Sequence, residues 1–134
     1  MKTRYLIDGA EFTSLEEFAQ HFSAQVLKEY AWKGNLDAFN DILRGGFGTP
    51  EEGFELVWHY HHLSKERLGF GEMARFLERI LTTCHPSNGP SVMTDLDAAR
   101  VGRGPTLFDL LVTIIREHGP GGMEAADGIE LILD

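Results

Sequence analysis

The sequence predicts an α/β protein, with a small three-stranded parallel sheet packed with helices. Three observations lead there. Strand-like segments stand at the start, middle and end of the chain, apolar residues recur at helical spacing between them, and helical connections make a parallel sheet the natural arrangement. At 134 residues, 43% hydrophobic and 25% charged, the chain fits one domain, 1–134, whose core needs no disulfide or metal.

Residues 3–8, TRYLID, form the first strand, stopped by Gly9. SLEEFAQHFSAQVLKEY opens with Ser14 and Glu17 in capping-box spacing. Leu15, Phe18, Ala19, Phe22, Val26 and Leu27 then give a helix with one apolar face, running to about residue 29. Asn35 is the expected N-cap of the next helix and Gly45-Gly46 its stop. FELVWHY, from residue 54, predicts a buried middle strand. Residues 63–84 are helical with a break near 69–71, and 85–104, with two prolines and three glycines, predict a long, poorly ordered loop. TLFDLLVTIIREHG begins a last helix with Thr106 and Asp109 in capping-box spacing and ends it at Gly119. GIELILD closes the chain as a strand, nearly all apolar and therefore expected to be covered on both faces.

Twenty-one acidic residues against 12 Lys and Arg leave a formal charge of −9, which disfavours nucleic acid as a direct ligand and suits a basic partner. Acidity for solubility alone explains the same number. The N-terminal residues meet Asp8 and Glu11 before any signal-peptide-like apolar run, no stretch suits a membrane span, and Cys84 is the single cysteine. A cytoplasmic protein without membrane contact is expected.

Placement of the acids is more informative. In GNLDAFNDILRGG, Leu36, Ala38, Phe39, Ile42 and Leu43 share one helix face, with Asp37 and Asp41 on the opposite side and Asn40 beside the apolar edge. Asp37 suits the first turn. Asp41 meets both a like charge at i−4 and the unfavourable end of the helix dipole, each worth about 0.3–1 kcal/mol, with Arg44 placed to relieve part of it. Glu117 repeats the oddity in the last turn of the final helix. A solvated polar face and a binding surface explain Asp41 equally well at this level; if both helix ends share one surface, an acidic patch results.

GNLDAFNDIL, with the later LVW, IIREHG and GIELILD, resembles the barstar family, small intracellular inhibitors of secreted barnase-type ribonucleases. The resemblance implies a barstar-like fold, from which this chain departs by an inserted helix and long loop, about 69–104, before the last helix. It implies a non-enzymatic monomer without cofactors, forming a heterodimer with a ribonuclease whose active site receives a helix and the loop before it. Asn35, Leu36, Asp37 and Ala38, preceded by Gly34, match the start of the inhibitory helix; Asp41 matches the aspartate that occupies the phosphate pocket, and Glu117 an auxiliary acid. A fixed carboxylate can replace phosphate through charge-assisted hydrogen bonds. Trp58 resembles the family's core tryptophan. Asn40 stands where barstar has an aromatic residue, and the loop reads YAWKGN, with Tyr30 and Trp32 as candidate flat contacts and Lys33 opposing a basic partner.

Two other readings belong beside this one: an immunity or regulatory protein of the same fold with a non-ribonuclease partner, and a metal-dependent enzyme using His59, His61 and His62 of WHYHH. No complete ligand spacing supports the latter. Cys84-His85 reads as a loop thiol, and GGFGTPEEG lacks the ending of a phosphate loop.

Overall fold

A computed structural model describes residues 2–134. The strands are β1 (Thr3–Asp8), β2 (Phe54–His59) and β3 (Ile129–Leu133), in the order β1-β2-β3 and parallel throughout. The helices are α1 (Leu15–Val26), α2 (Leu36–Arg44), α3 (His61–Arg67), α4 (Phe70–Leu81), α5 (Gly89–Arg100) and α6 (Leu107–Glu117). The expected three-stranded parallel sheet is therefore present.

Register explains how the sheet packs. Tyr5, Leu56 and Leu131 lie side by side on one face, whereas Leu6, Val57 and Ile132 form the adjacent row on the other. Sequential parallel strands joined by right-handed crossovers send every connecting helix to the same side. The core lies on that side: Ile7, Phe54, Leu56, Trp58 and Ile129 pack with Phe12, Phe18, Phe22, Phe39, Leu111 and Ile115. On the far face Leu6 and Ile132 remain 49% and 39% exposed. The expectation that the last strand would be covered on both faces is thus incorrect, because β3 is an edge strand of a sheet with helices on one side.

Aromatic contacts bind the layers. The Trp58 ring stacks on Phe18 at 5.2 Å and meets Phe108 edge-on at 5.1 Å, joining β2 to α1 and α6. Its indole N–H donates to Ser64 of α3 at 2.9 Å, so the tryptophan is both buried and satisfied.

Local end signals act largely as expected. Ser14 accepts from the Glu17 N–H at 3.2 Å, although Glu17 turns to Thr13 instead of completing the box. Thr106 and Asp109 form the full reciprocal box of α6 at 3.1 Å each way. The break near 69–71 separates α3 from α4. Helix α1 stops at Val26, three residues before the expected end, where Leu27 turns to extended backbone.

Residues 85–104 are not the long, poorly ordered loop expected from their glycines and prolines. A short 3-10 turn, Pro86–Asn88, leads directly into α5, which packs against α4. Pro90 is tolerated at the helix start because no intrahelical N–H bond is needed there. Leu96 and Ala99, with Val92 half-buried beside them, form only a narrow apolar stripe, too weak a periodicity to outweigh the surrounding glycines and prolines in sequence. Leu96→Ala is expected to cost about 2–5 kcal/mol in urea denaturation, whereas a residue in an undocked loop would cost little.

His21 fastens α1 to the end of β1, its Nε2 accepting the Asp8 N–H at 3.0 Å. Burial depresses its pKa below 6.5, against the opposing pull of Asp8 and Glu11. Because the folded pKa lies below the unfolded one, this contribution is complete above about pH 6.5 and is lost as pH falls towards the folded value. Melting temperature is expected to fall less between pH 7.5 and 5.5 for His21→Gln, which can still accept the Asp8 N–H, than for the wild type.

Candidate functional site

The loop before α2 is positioned by burial. The Trp32 N–H donates to Ser23 at 2.9 Å, and its indole N–H donates to the Asn35 carbonyl at 2.8 Å. Its ring stacks on Phe39 at 4.4 Å with planes only 10° apart. At 3% exposure Trp32 is therefore a core residue, and the expectation of an outward-facing flat contact is corrected. The exposed aromatic of this loop is Tyr30, 40% exposed and supported from below by Phe47.

Gly34 has φ +107°, a conformation strained for other residues, and it swings the chain from the buried Trp32 into the helix. Asn35 then caps α2, accepting the Ala38 N–H at 2.9 Å. The apolar side of α2 buries Phe39, Ile42 and Leu43, with Leu36 and Ala38 half-buried at its edge, while Asp37 and Asp41 are exposed. The two aspartates share the solvent side expected from their spacing.

Asn40 is not part of that exposed surface. Its amide pairs with Nε2 of His118 at 3.0 Å, and Nδ1 of the fully buried His118 ring donates to Asp127 at 2.7 Å. The C-terminal part of α2 is therefore fastened to the end of α6. This brings the neighbourhoods of Asp41 and Glu117 together, as a shared acidic surface requires.

Glu117 owes its place to the loop that follows it. Its carboxylate accepts the Met123 N–H at 3.2 Å and its carbonyl accepts the Glu124 N–H at 2.8 Å. Gly122 lies so close to the Glu117 carbonyl that a Cβ would collide with it. The turn consequently delivers Glu124 to Arg44 of α2. Arg44 donates to Asp41 at 2.7 Å and, through two further nitrogens, to both oxygens of Glu124 at 2.7 and 3.1 Å. Arg44 holds the Glu124 carboxyl below its ordinary pKa range, chiefly through those hydrogen bonds. Glu124 escaped sequence reasoning because its partner lies far away in the chain, Arg44 preceding it by 80 residues, and Asp127 because its partner His118, nine residues earlier, is reached only across the turn after α6.

His59, His61 and His62 do not converge as a three-ligand site. His59 ends β2 and pairs with the Asp134 side chain, whereas His61 and His62 begin α3 with ring centroids 4.0 Å apart. Among the described residues, the grouping with metal-like spacing is His118, Glu124 and Asp127, whose atoms are already engaged with one another, Asn40 and Arg44. No helix of the described residues is long and apolar enough to cross a membrane.

Together these features define a one-sided parallel α/β protein with carboxylates displayed at a helix end and no helix of membrane-spanning character among the described residues. The chain belongs to the barstar family: the family model described as Barstar (barnase inhibitor) matches residues 2–89, well over half of its length. Membership makes it one of a family of non-enzymatic inhibitors. No individual curated protein matches it. The matched part contains α2 and its preceding loop, while α6, with Glu117, and the loop bearing Glu124 lie beyond it.

Asn35→Ala is expected to lower stability by about 1 kcal/mol in denaturant titration, through the lost cap. Fraying should be confined to the first turn of α2, detectable as faster amide exchange at Ala38.

Proposed function

We propose that the chain inhibits a barnase-type ribonuclease by seating the exposed side of α2 and the preceding loop in the nuclease's basic active site. The observation that carries this reading is Asp41: 68% exposed, yet set on a short helix whose other side is locked into the core. A carboxylate fixed in that way can accept hydrogen bonds from the Arg, Lys and His side chains with which a ribonuclease binds phosphate. The cost of ordering the helix has already been met in folding, which favours tight association.

Asp41 is the central anchor in this reading. Asp37 adds charge, while Gly34, Asn35, Leu36 and Ala38 shape the approach of the first turn. Tyr30 supplies an amphipathic aromatic contact. Asn40 and Trp32 act from behind, by holding the helix and loop in place, and Glu117 acts through the turn it organises. The partner is a basic protein, bound one to one by a monomer in the cytoplasm; neither nucleic acid nor membrane contacts the surface directly. A non-ribonuclease partner is the second reading, favoured by the inward-turned Asn40 at a position where barstar presents an aromatic residue.

Inhibition of RNA cleavage by a purified barnase-type ribonuclease tests the assignment. Asp41→Ala should weaken inhibition by about 2–5 kcal/mol, roughly thirtyfold or more in Kd, a range to which the barnase–barstar complex itself is a measured contributor. Glu130→Ala, on the open side of the sheet and paired with Lys2, should change it by less than about threefold. Equal effects would remove Asp41 from the centre. Association should also slow as salt rises from about 50 to 500 mM, since steering of a basic partner is screened.

A further inference from the structure

We propose that Arg44 is an internal competitor for the Asp41 carboxylate and that Glu124 limits its hold, so that the two residues set the threshold a partner cation must pass. The inference rests on the reading of Asp41 as the anchor for a basic protein. Arg44 has one nitrogen on Asp41 and two on Glu124, with Nη1 donating to Asp41 Oδ1, Nε to Glu124 Oε1 and Nη2 to Glu124 Oε2. The guanidinium thus gives its bidentate edge to Glu124 and only a single bond to Asp41.

Two consequences follow from that division. The free protein presents Asp41 with a cation already attached, and the three side chains together carry one negative charge instead of two. A partner arginine or lysine must displace Arg44 or endure its repulsion at short range. A weakly basic passer-by gains too little to do so, whereas a pocket with several converging cations gains enough; the device therefore sharpens selectivity. Glu124 keeps the competitor weak. Without it, the guanidinium is free to turn its bidentate edge to Asp41, three residues away on the same helix.

The loop architecture gives this arrangement its precision. Glu124 is delivered by the turn fastened through Glu117, and His118 with Asn40 ties the same region to α2. Arg44, about half exposed, thereby bridges two elements distant in sequence through three hydrogen bonds.

Binding of the full chain to a barnase-type ribonuclease at low and high salt tests the proposal. Arg44→Gln should tighten binding about threefold or more, and the gain should persist at about 500 mM salt because a contact competitor is removed. Arg116→Gln, an equal change of charge on an exposed arginine of α6, should gain at low salt only. Glu124→Gln should weaken binding in the wild type and have little effect in the Arg44→Gln background at high salt. Weaker or unchanged binding by Arg44→Gln, or a gain that vanishes with salt as for Arg116→Gln, overturns the proposal. A partner-independent readout accompanies these measurements: the Arg44 Nε–H should resist solvent exchange in the free protein and lose that protection in Glu124→Gln, and equal exchange in both proteins also overturns it. Asp41→Ala separates the two ideas. If it leaves inhibition intact, the anchor reading fails together with the competitor; if it abolishes inhibition while Arg44→Gln gains nothing, the competitor alone fails.

Discussion

The handedness of two crossovers governs this molecule. Three parallel strands in sequential order cannot be joined by hairpins, and right-handed connections place every helix against the same side of the sheet. The core is consequently one-sided, with Trp58 at its centre on the middle strand and phenylalanines from α1 and α2 around it. The far side keeps a row of Leu6, Val57 and Ile132 between charged neighbours such as the Arg4–Glu55 pair at 2.9 Å. Crowding all helices on one side also forces the ends of α2 and α6 together, and the functional surface grows from that meeting.

The same aromatic core that stabilises the fold orders the candidate binding surface. Phe39 faces inward from α2 and stacks on Trp32, so the helix and its preceding loop are secured by one pair of rings. Trp32 then reaches past the ring contact to hold the Asn35 carbonyl, while the Asn35 side chain begins the helix. Burial behind the helix therefore supplies rigidity in front of it. A short helix of this kind has little stability of its own, and tertiary packing provides what its length cannot.

Acids at the unfavourable ends of helices find different resolutions here. Glu117 accepts a backbone N–H from the following turn, which gives its charge a local partner and explains its place without any ligand. Asp41 has a side-chain cation, but that cation is shared with Glu124. The anion at the end of α2 is thus compensated incompletely and in solvent, a condition suited to exchange of one cation for another. Buried His118 serves a different purpose: both its ring nitrogens are engaged, and it joins Asn40 to Asp127 across 78 and 9 residues respectively.

Strand positions, the cap at Asn35, the box at Thr106 and Asp109, and the opposition of Asp37 and Asp41 to the apolar side of α2 were legible in residue order, because each depends on spacings of a few residues. The family was legible in GNLDAFNDIL for the same reason, being a contiguous pattern. Helix α5 was obscured, since its narrow apolar stripe gains meaning only when α4 lies beside it. Trp32 could not be assigned to core or surface from its neighbours, because the choice is made by Ser23, Phe39 and the turn at Gly34. Sequence by itself determined the three strands, the helices other than α5 and the anionic side of one helix. Only the tertiary structure decided which residues stand behind that side and which cation it already holds, because hydrogen bonds between α2 and the loop after α6 join positions that no local periodicity relates.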